Sequence, residues 1–249
     1  MRAILTYHSI DSSGSPVSIA EDAFRAHVRF LASGRVRVVP LADITSPGAE
    51  EDAVALTFDD AFLNFADIAA PLLADSGLPA TVFVVSDAVG GTNAWGGHEA
   101  PGIPTLPLMH WDDLSAIAVA GIEIGAHTRC HADLSSLSGS RLEDETAGCA
   151  ERIAAVLGVR PARFAYPYGA VNDDVARVAR DVFVDSCTTE LRPLSDDEDR
   201  ALLPRLDAFY FREPGQLEDW GSPAFRRRVW LRAQGRRVKA LMAAGGKGR

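Results

Sequence analysis

The chain is short of lysine, of cysteine and of long apolar runs, and each shortage removes a class of protein. Lysine occurs only at Lys239 and Lys247. All 34 acids lie in residues 1–220, where the net charge is −18, whereas residues 221–249 carry nine bases and no acid. An acidic body without clustered cations argues against nucleic acid as a partner, because phosphate binding draws on counterion release by grouped Lys and Arg. Only the tail has that composition. The three cysteines, Cys130, Cys149 and Cys187, are an odd number without Cys-x-x-Cys spacing, which leaves no disulfide framework and fits a reducing compartment. No apolar stretch nears the roughly eighteen residues that span a bilayer, and the apolar run before Thr6 is too short for the centre of a signal peptide. The expected location is therefore cytoplasmic.

What is present suffices for one large core: 249 residues, 47% apolar and 24% charged, with 21 Gly and 14 Pro. Short apolar runs ending in polar residues alternate with amphipathic stretches, the pattern of buried parallel strands covered by crossover helices. Strands are expected at Ala3–Tyr7, Val36–Val39, Val54–Phe58, Ala80–Val85, Ile122–Gly125, Arg163–Tyr166 and Val182–Asp185. Helices are expected at Ala20–Ala32, Asn64–Asp75, Trp111–Ala120, Ser140–Leu157 and Asp173–Arg180. Residues 89–109, rich in Gly, Pro and Trp, show neither period and read as a long loop, either a binding loop or a solvated excursion. The class is α/β, with one domain over residues 1–220 and a chemically separate basic tail at 221–249.

Chemistry gathers at strand ends. The run Val54–Phe58 ends in Asp59-Asp60, at the end where α/β barrels assemble active sites. Adjacent carboxylates repel unless a cation or a proton intervenes, so one of them binds metal or has a raised pKa; the plain alternative is a helix N-cap. After Ile122–Gly125 comes His127-Thr128-Arg129-Cys130-His131, and one helical turn would point both imidazoles the same way. Two histidines and a carboxylate make a three-ligand divalent site with positions open to water, the arrangement of catalytic zinc. A His pair alone fits a surface helix equally well; beside the Asp pair it is far more specific. Arg163–Tyr166 runs into Pro167-Tyr168-Gly169, where a sharp bend can turn an amide N–H toward a reacting atom. The first strand ends at His8.

In this order, Thr57-Phe58-Asp59-Asp60, His127-Thr128 with His131, and Tyr166-Pro167-Tyr168-Gly169 resemble the motifs of the polysaccharide deacetylases, the NodB-homology family four of the carbohydrate esterases. The resemblance extends over about Ala3–Phe211 and takes in Leu5-Thr6-Tyr7-His8-Ser9-Ile10, Leu78-Pro79-Ala80-Thr81-Val82-Phe83 and Leu203-Pro204-Arg205. It implies an irregular (β/α)7 barrel with Asp59 as general base and the Tyr168 backbone N–H in the oxyanion site. Asp60, His127 and His131 would hold a divalent metal, zinc first, with cobalt, nickel or iron as alternatives. Many members take a general-acid His from late in the domain, but none follows His131 here. His8 then takes that role, which resembles the permuted arrangement of poly-N-acetylglucosamine deacetylases. The implied activity is metal-dependent removal of N-acetyl groups from an amino sugar or glycan conjugate, in surface polysaccharide biosynthesis.

Two departures matter. Ala61 stands where the family commonly has Gly, and Ala165-Tyr166 where it has the Arg that orients the base; Arg163 and Arg205 are the candidates to replace that Arg. The missing Arg and late His keep open a non-catalytic carbohydrate-binding barrel, and the same metal site would fit a non-sugar amide or an O-acetyl ester. Asp185 reads as a partner of a ligand histidine or as a cap.

Cys130 is expected to be a buried, inert thiol. Trp95, Trp111, Tyr166 and Tyr168 can stack on sugar rings or serve core packing. In the tail, Phe225, Val229, Val238, Leu241 and Met242 fall loosely on one helical side, with Trp230 near them and Arg226, Arg227, Arg228, Arg232, Arg236, Arg237 and Lys239 around the rest. That segment fits either peripheral contact with anionic membrane, at the inner face, or a last helix packing on the acidic barrel.

Overall fold

The computed structural model describes residues 1–46 and 52–245. Its strands are β1 (Arg2–Tyr7), β2 (Ser9–Ile10), β3 (Ser18–Ile19), β4 (Arg37–Val38), β5 (Ala53–Phe58), β6 (Thr81–Val84), β7 (Glu123–Ala126), β8 (Arg163–Ala165), β9 (Asp185–Cys187) and β10 (Leu206–Asp207). All pair in parallel, in the order β10-β1-β5-β6-β7-β8-β9, with β4 also on β5 and β2 paired separately with β3. On one edge of β5 the partner changes along its length: β4 takes Ala53 and Val54, and β6 takes Thr57 and Phe58. The curled parallel sheet is the expected irregular (β/α)7 barrel.

Helices α1 (Glu21–Ala32), α2 (Ala70–Asp75), α3 (Trp111–Val119), α4 (Gly139–Glu143), α5 (Cys149–Leu157), α6 (Asp173–Val182) and α7 (Pro223–Gly245) supply the outer layer. A π-helical segment, Phe65–Ala69, leads into α2, and another, Asp144–Gly148, joins α4 to α5. The expected helices at 64–75 and 140–157 are thus present, each widened by one π turn.

The period-two alternation of the strands sorts the core into two clusters. Leu5, Tyr7, Leu56, Phe58, Val82, Val84 and Phe164 face the helices. Ile4, Ala55, Phe83, Ala165, Cys187 and Leu203 fill the lumen. Phe83 has room there because position 125 is glycine: a Cβ on Gly125 would lie 2.4 Å from the Phe83 ring. Continuing the inward row past Ile4 and Thr6 delivers His8, and past Ala55 and Thr57 it delivers Asp59.

Two expectations are corrected here. The sequence pattern puts the last strand at Val182–Asp185, but α6 runs to Val182 and the strand begins at Asp185. Phe183 instead packs outside, stacked on Phe164 at 4.7 Å, and Val184 is exposed. The short β10 was not expected at all. It pairs with β1, while Leu203, just before it, exchanges backbone bonds with Ser186 and Thr188 beside β9. The five residues from Leu203 to Asp207 therefore stitch the first and last strands together and close the ring. The tail continues as α7, and its final residues, 246–249, lie outside the described residues.

Candidate active site

Arg205 sits in that closing stitch, fully buried, and its guanidinium meets Asp59 through two bonds: Nη1 to Oδ1 at 2.6 Å and Nη2 to Oδ2 at 2.7 Å. Nε donates to the Thr188 carbonyl, and Nη1 also reaches Thr6 Oγ1 at 3.0 Å. Burial by itself would raise the Asp59 pKa, but the charge and bonds of Arg205 outweigh it and hold the carboxyl well below the usual range. Asp59 is therefore an aimed, ionised carboxylate. Arg163, the other candidate for this task, lies at the opposite end of the lumen, 2.8 Å from Asp185. Asp185 in turn faces Arg200 at 2.8 Å, so it partners no ligand histidine; the His127 ring bonds elsewhere.

Asp60, His127 and His131 converge, with one ligand atom from each lying within 4.8 Å of the others. His127 Nδ1 lies 2.7 Å from the Ala165 carbonyl. A carbonyl only accepts, so the proton is on Nδ1 and Nε2 keeps its lone pair. His131 Nδ1 is engaged by the Tyr168 hydroxyl at 3.0 Å, leaving its Nε2 3.3 Å from Asp60 Oδ1. His127 Nε2 is 3.5 Å from the same oxygen. Burial pushes His127 down to about 4 in spite of Asp59 nearby, so the ring is neutral at pH 7. Burial would raise Asp60, yet His131 and His127 outweigh it and keep it ionised. Asp60 Oδ1 makes no hydrogen bond of good geometry, and its polar neighbours are the two Nε2 atoms. A buried anionic oxygen facing the His127 lone pair and His131 Nε2 fits a divalent cation held by all three.

The backbone that arranges these groups is left-handed at unusual places. Among the described residues, five that are not glycine have positive φ: Asp60 at 71°, Ala61 at 59°, Thr128 at 65°, His131 at 61° and Tyr168 at 60°. All five lie in the three motif loops. Each left-handed residue costs roughly 1–2 kcal/mol, so the strain of the fold is concentrated at this end. The pair His127 and His131 is accordingly brought together by an irregular loop, and the expected helical turn is absent: two left-handed residues swing His131 back beside His127. Ala61 occupies the left-handed position where the related sequences favour glycine, which has no Cβ to clash.

The other expected residues divide. His8 stands at the end of β1 with Nε2 3.7 Å from Asp59 Oδ2. Trp95, from the 89–109 loop, stacks on His131 at 4.3 Å and 17°, which places that loop over the site. Tyr168 meets the same ring edge-on at 4.6 Å and is 62% exposed. Tyr166 is buried, its hydroxyl bonded to the Ala201 carbonyl, and Trp111 lies at the start of α3 under Arg152, so neither joins the site. Cys130 is exposed, against the expected burial, and partial desolvation of its Sγ together with its bond to Glu145 raises the thiol to about 12. Sequence reading missed the Ala165 carbonyl, the Tyr168 hydroxyl, and Thr6 and Thr57, whose hydroxyls lie 3.0 and 3.4 Å from Arg205 Nη1. The two threonines lie two residues before His8 and Asp59, so the same period-two count would have found them.

A parallel barrel with buried carboxylates and histidines at its strand ends defines a class of hydrolase. The polysaccharide deacetylase family model matches residues 47–185, more than half of the chain, and this protein belongs to that family and is a carbohydrate deacetylase. YxkH of Bacillus subtilis (strain 168), named for the same family, is 24% identical over 209 residues, covering 82% of this chain and 70% of YxkH. Among solved structures, the Streptococcus pyogenes deacetylase PplD in complex with acetate has TM-score 0.69 at 20% identity, covering 83% of this chain and 91% of PplD. IcaB from Ammonifex degensii has TM-score 0.67 at 23% identity, covering 84% of this chain and 94% of IcaB. Both share the fold.

Proposed function

We propose that this protein is a metal-dependent N-deacetylase that releases acetate from an N-acetylated amino sugar of a glycan or glycan conjugate, as in surface polysaccharide synthesis. Residues 1–220 form the catalytic domain in this reading and 221–249 a basic appendage. The observation that carries it is the orphaned Asp60 Oδ1 between two imidazole nitrogens whose rings are already fixed from behind. Asp60, His127 and His131 would hold the ion, and two histidines with one carboxylate suit zinc, with cobalt, nickel or iron as substitutes. A divalent ion supplies Lewis acidity, lowering the pKa of water in its shell toward about 7 and polarising an acyl carbonyl.

The chain's own groups do the rest. Asp59, clamped by Arg205, accepts the proton of the attacking water. So weak a base serves only a water whose acidity has been raised, which is a second reason to expect a cation beside it. The Tyr168 amide faces the developing oxyanion. His8, 3.7 Å from Asp59 at the mouth, donates a proton to the departing nitrogen, so that amine and acetate leave in place of an amide anion. The first strand thus supplies the acid, the permuted arrangement. Tyr168 and Trp95 offer aromatic surface to a sugar ring.

The test is acetate release from a panel of N-acetylated sugars and simple amides, with metal content measured in parallel. Asp59→Asn should keep its metal and lose about 10²–10⁴ in turnover, His8→Ala should lose a similar factor, and His127→Ala should lose metal and activity together. Equal metal loss in the Asp59 and His127 variants, or full activity after chelation, would overturn the reading.

A further inference from the structure

Helix α7 has two apolar faces, and the barrel uses only one. Phe225, Val229 and Ala233, at i, i+4 and i+8, pack inward. Phe225 stacks on Phe211 at 5.0 Å with the planes 9° apart, and Arg232 lies over the Tyr210 ring. Trp230, Gln234, Val238 and Met242 form the parallel series on the other side, with Leu231 beside them. Trp230 is 59% exposed, Leu231 50%, Val238 51% and Met242 73%. These are four of the nine large hydrophobic residues that the described residues expose, and the other five are scattered between Val119 and Val184. At 100° per residue, Arg226 and Arg237 border the stripe on one side, Arg228 on the other, and Arg227 lies within it; Arg228 pairs with Asp219 at 3.0 Å and Arg237 with Glu190, which leaves Arg226 and Arg227 as the guanidinium groups without an acidic partner among the described residues.

We infer that this outer face of α7 docks the enzyme on an anionic lipid surface, with the stripe in the acyl boundary and the guanidinium groups among the headgroup phosphates. Charge selects the occupant. Residues 221–249 hold nine bases and no acid, while residues 1–220 carry −18, so an anionic sheet attracts this face and repels the rest. A second copy meeting the same face would oppose arginine to arginine. A Trp, Leu, Val and Met stripe edged by bases is what a bilayer interface requires, with no matching shape needed on the other side. The helix also abuts the site: Arg237 reaches Glu190 at 3.5 Å, and the Glu190 carbonyl accepts the Arg205 backbone N–H at 2.9 Å.

The experiment is sedimentation of the full chain with vesicles of phosphatidylcholine alone or mixed with phosphatidylglycerol. The chain should pellet with the mixed vesicles and not with the neutral ones, and added salt should release it. A triple variant, Leu231→Ser with Val238→Ser and Met242→Ser, alters only exposed positions and should keep its circular dichroism and its acetate release from soluble substrate. Its affinity for the mixed vesicles should fall by roughly tenfold or more. No pelleting, equal pelleting on both vesicles, or unchanged affinity in the triple variant would overturn the inference. So would a concentration-dependent dimer that the triple variant abolishes, or binding to a DNA duplex in place of vesicles.

Discussion

The two ends of the barrel lumen each bury carboxylates against arginine, and they balance their charge differently. At the end where the strands begin, Asp185 lies 2.8 Å from both Arg163 and Arg200, and Glu123 is 3.8 Å from Arg163. Two acids meet two guanidinium groups and the ledger is even. At the end where the strands finish, Arg205 is bonded, of the two acids there, to Asp59 alone, and Asp60 faces the Nε2 atoms of His127 and His131. Two buried acids there meet one guanidinium group. One end is a plug that the chain pairs by itself; the other is a socket, where the proposed cation would sit. The backbone repeats the difference, since among the described residues every left-handed one that is not glycine belongs to the socket.

The largest test of this contrast is to delete one arginine at each end. Arg205→Ala leaves Asp59 buried and unpaired and should destabilise the fold by about 3–5 kcal/mol. Arg163→Ala leaves Asp185 its Arg200 and should cost clearly less; equal losses in denaturant titrations would erase the distinction. A smaller effect is expected from Tyr168→Phe, which removes only the hydroxyl behind His131. Metal affinity should fall by about 10–100-fold with the fold intact, and unchanged affinity in a competition titration would show that the His131 ring is held by packing alone. The smallest is a gain: Ala61→Gly relieves a left-handed Cβ and should raise stability by about 1 kcal/mol, visible as a higher melting temperature. A loss would mean that the Ala61 methyl, buried in the core, is worth more than the strain.

Much of this was legible in the residues. The strand runs marked by Val54–Phe58 and Ala80–Val85 are apolar on both faces, so they could belong only to a covered parallel sheet, and the polar residues that end them had to lie on one rim. The spacing of Asp59-Asp60 and of His127 with His131 was enough to nominate the cluster, although its loop was misread as a helical turn, because positive φ at Thr128 and His131 leaves no mark in composition. The choice between Arg163 and Arg205 was beyond sequence. Both precede apolar residues on short strands, and only ring closure decides which end of the lumen each one enters. The two-residue strand at Leu206 was invisible for the same reason: it exists because β1 offers it an edge, not because of its own pattern.

That closure has a consequence for how the enzyme would fail. The segment that fastens the last strand to the first also carries the side chain that aims Asp59, so a breath in this one joint disarms the proton acceptor while the helices outside are still in place. Heat should silence the protein before it melts it, and restoring the joint on cooling should restore both at once.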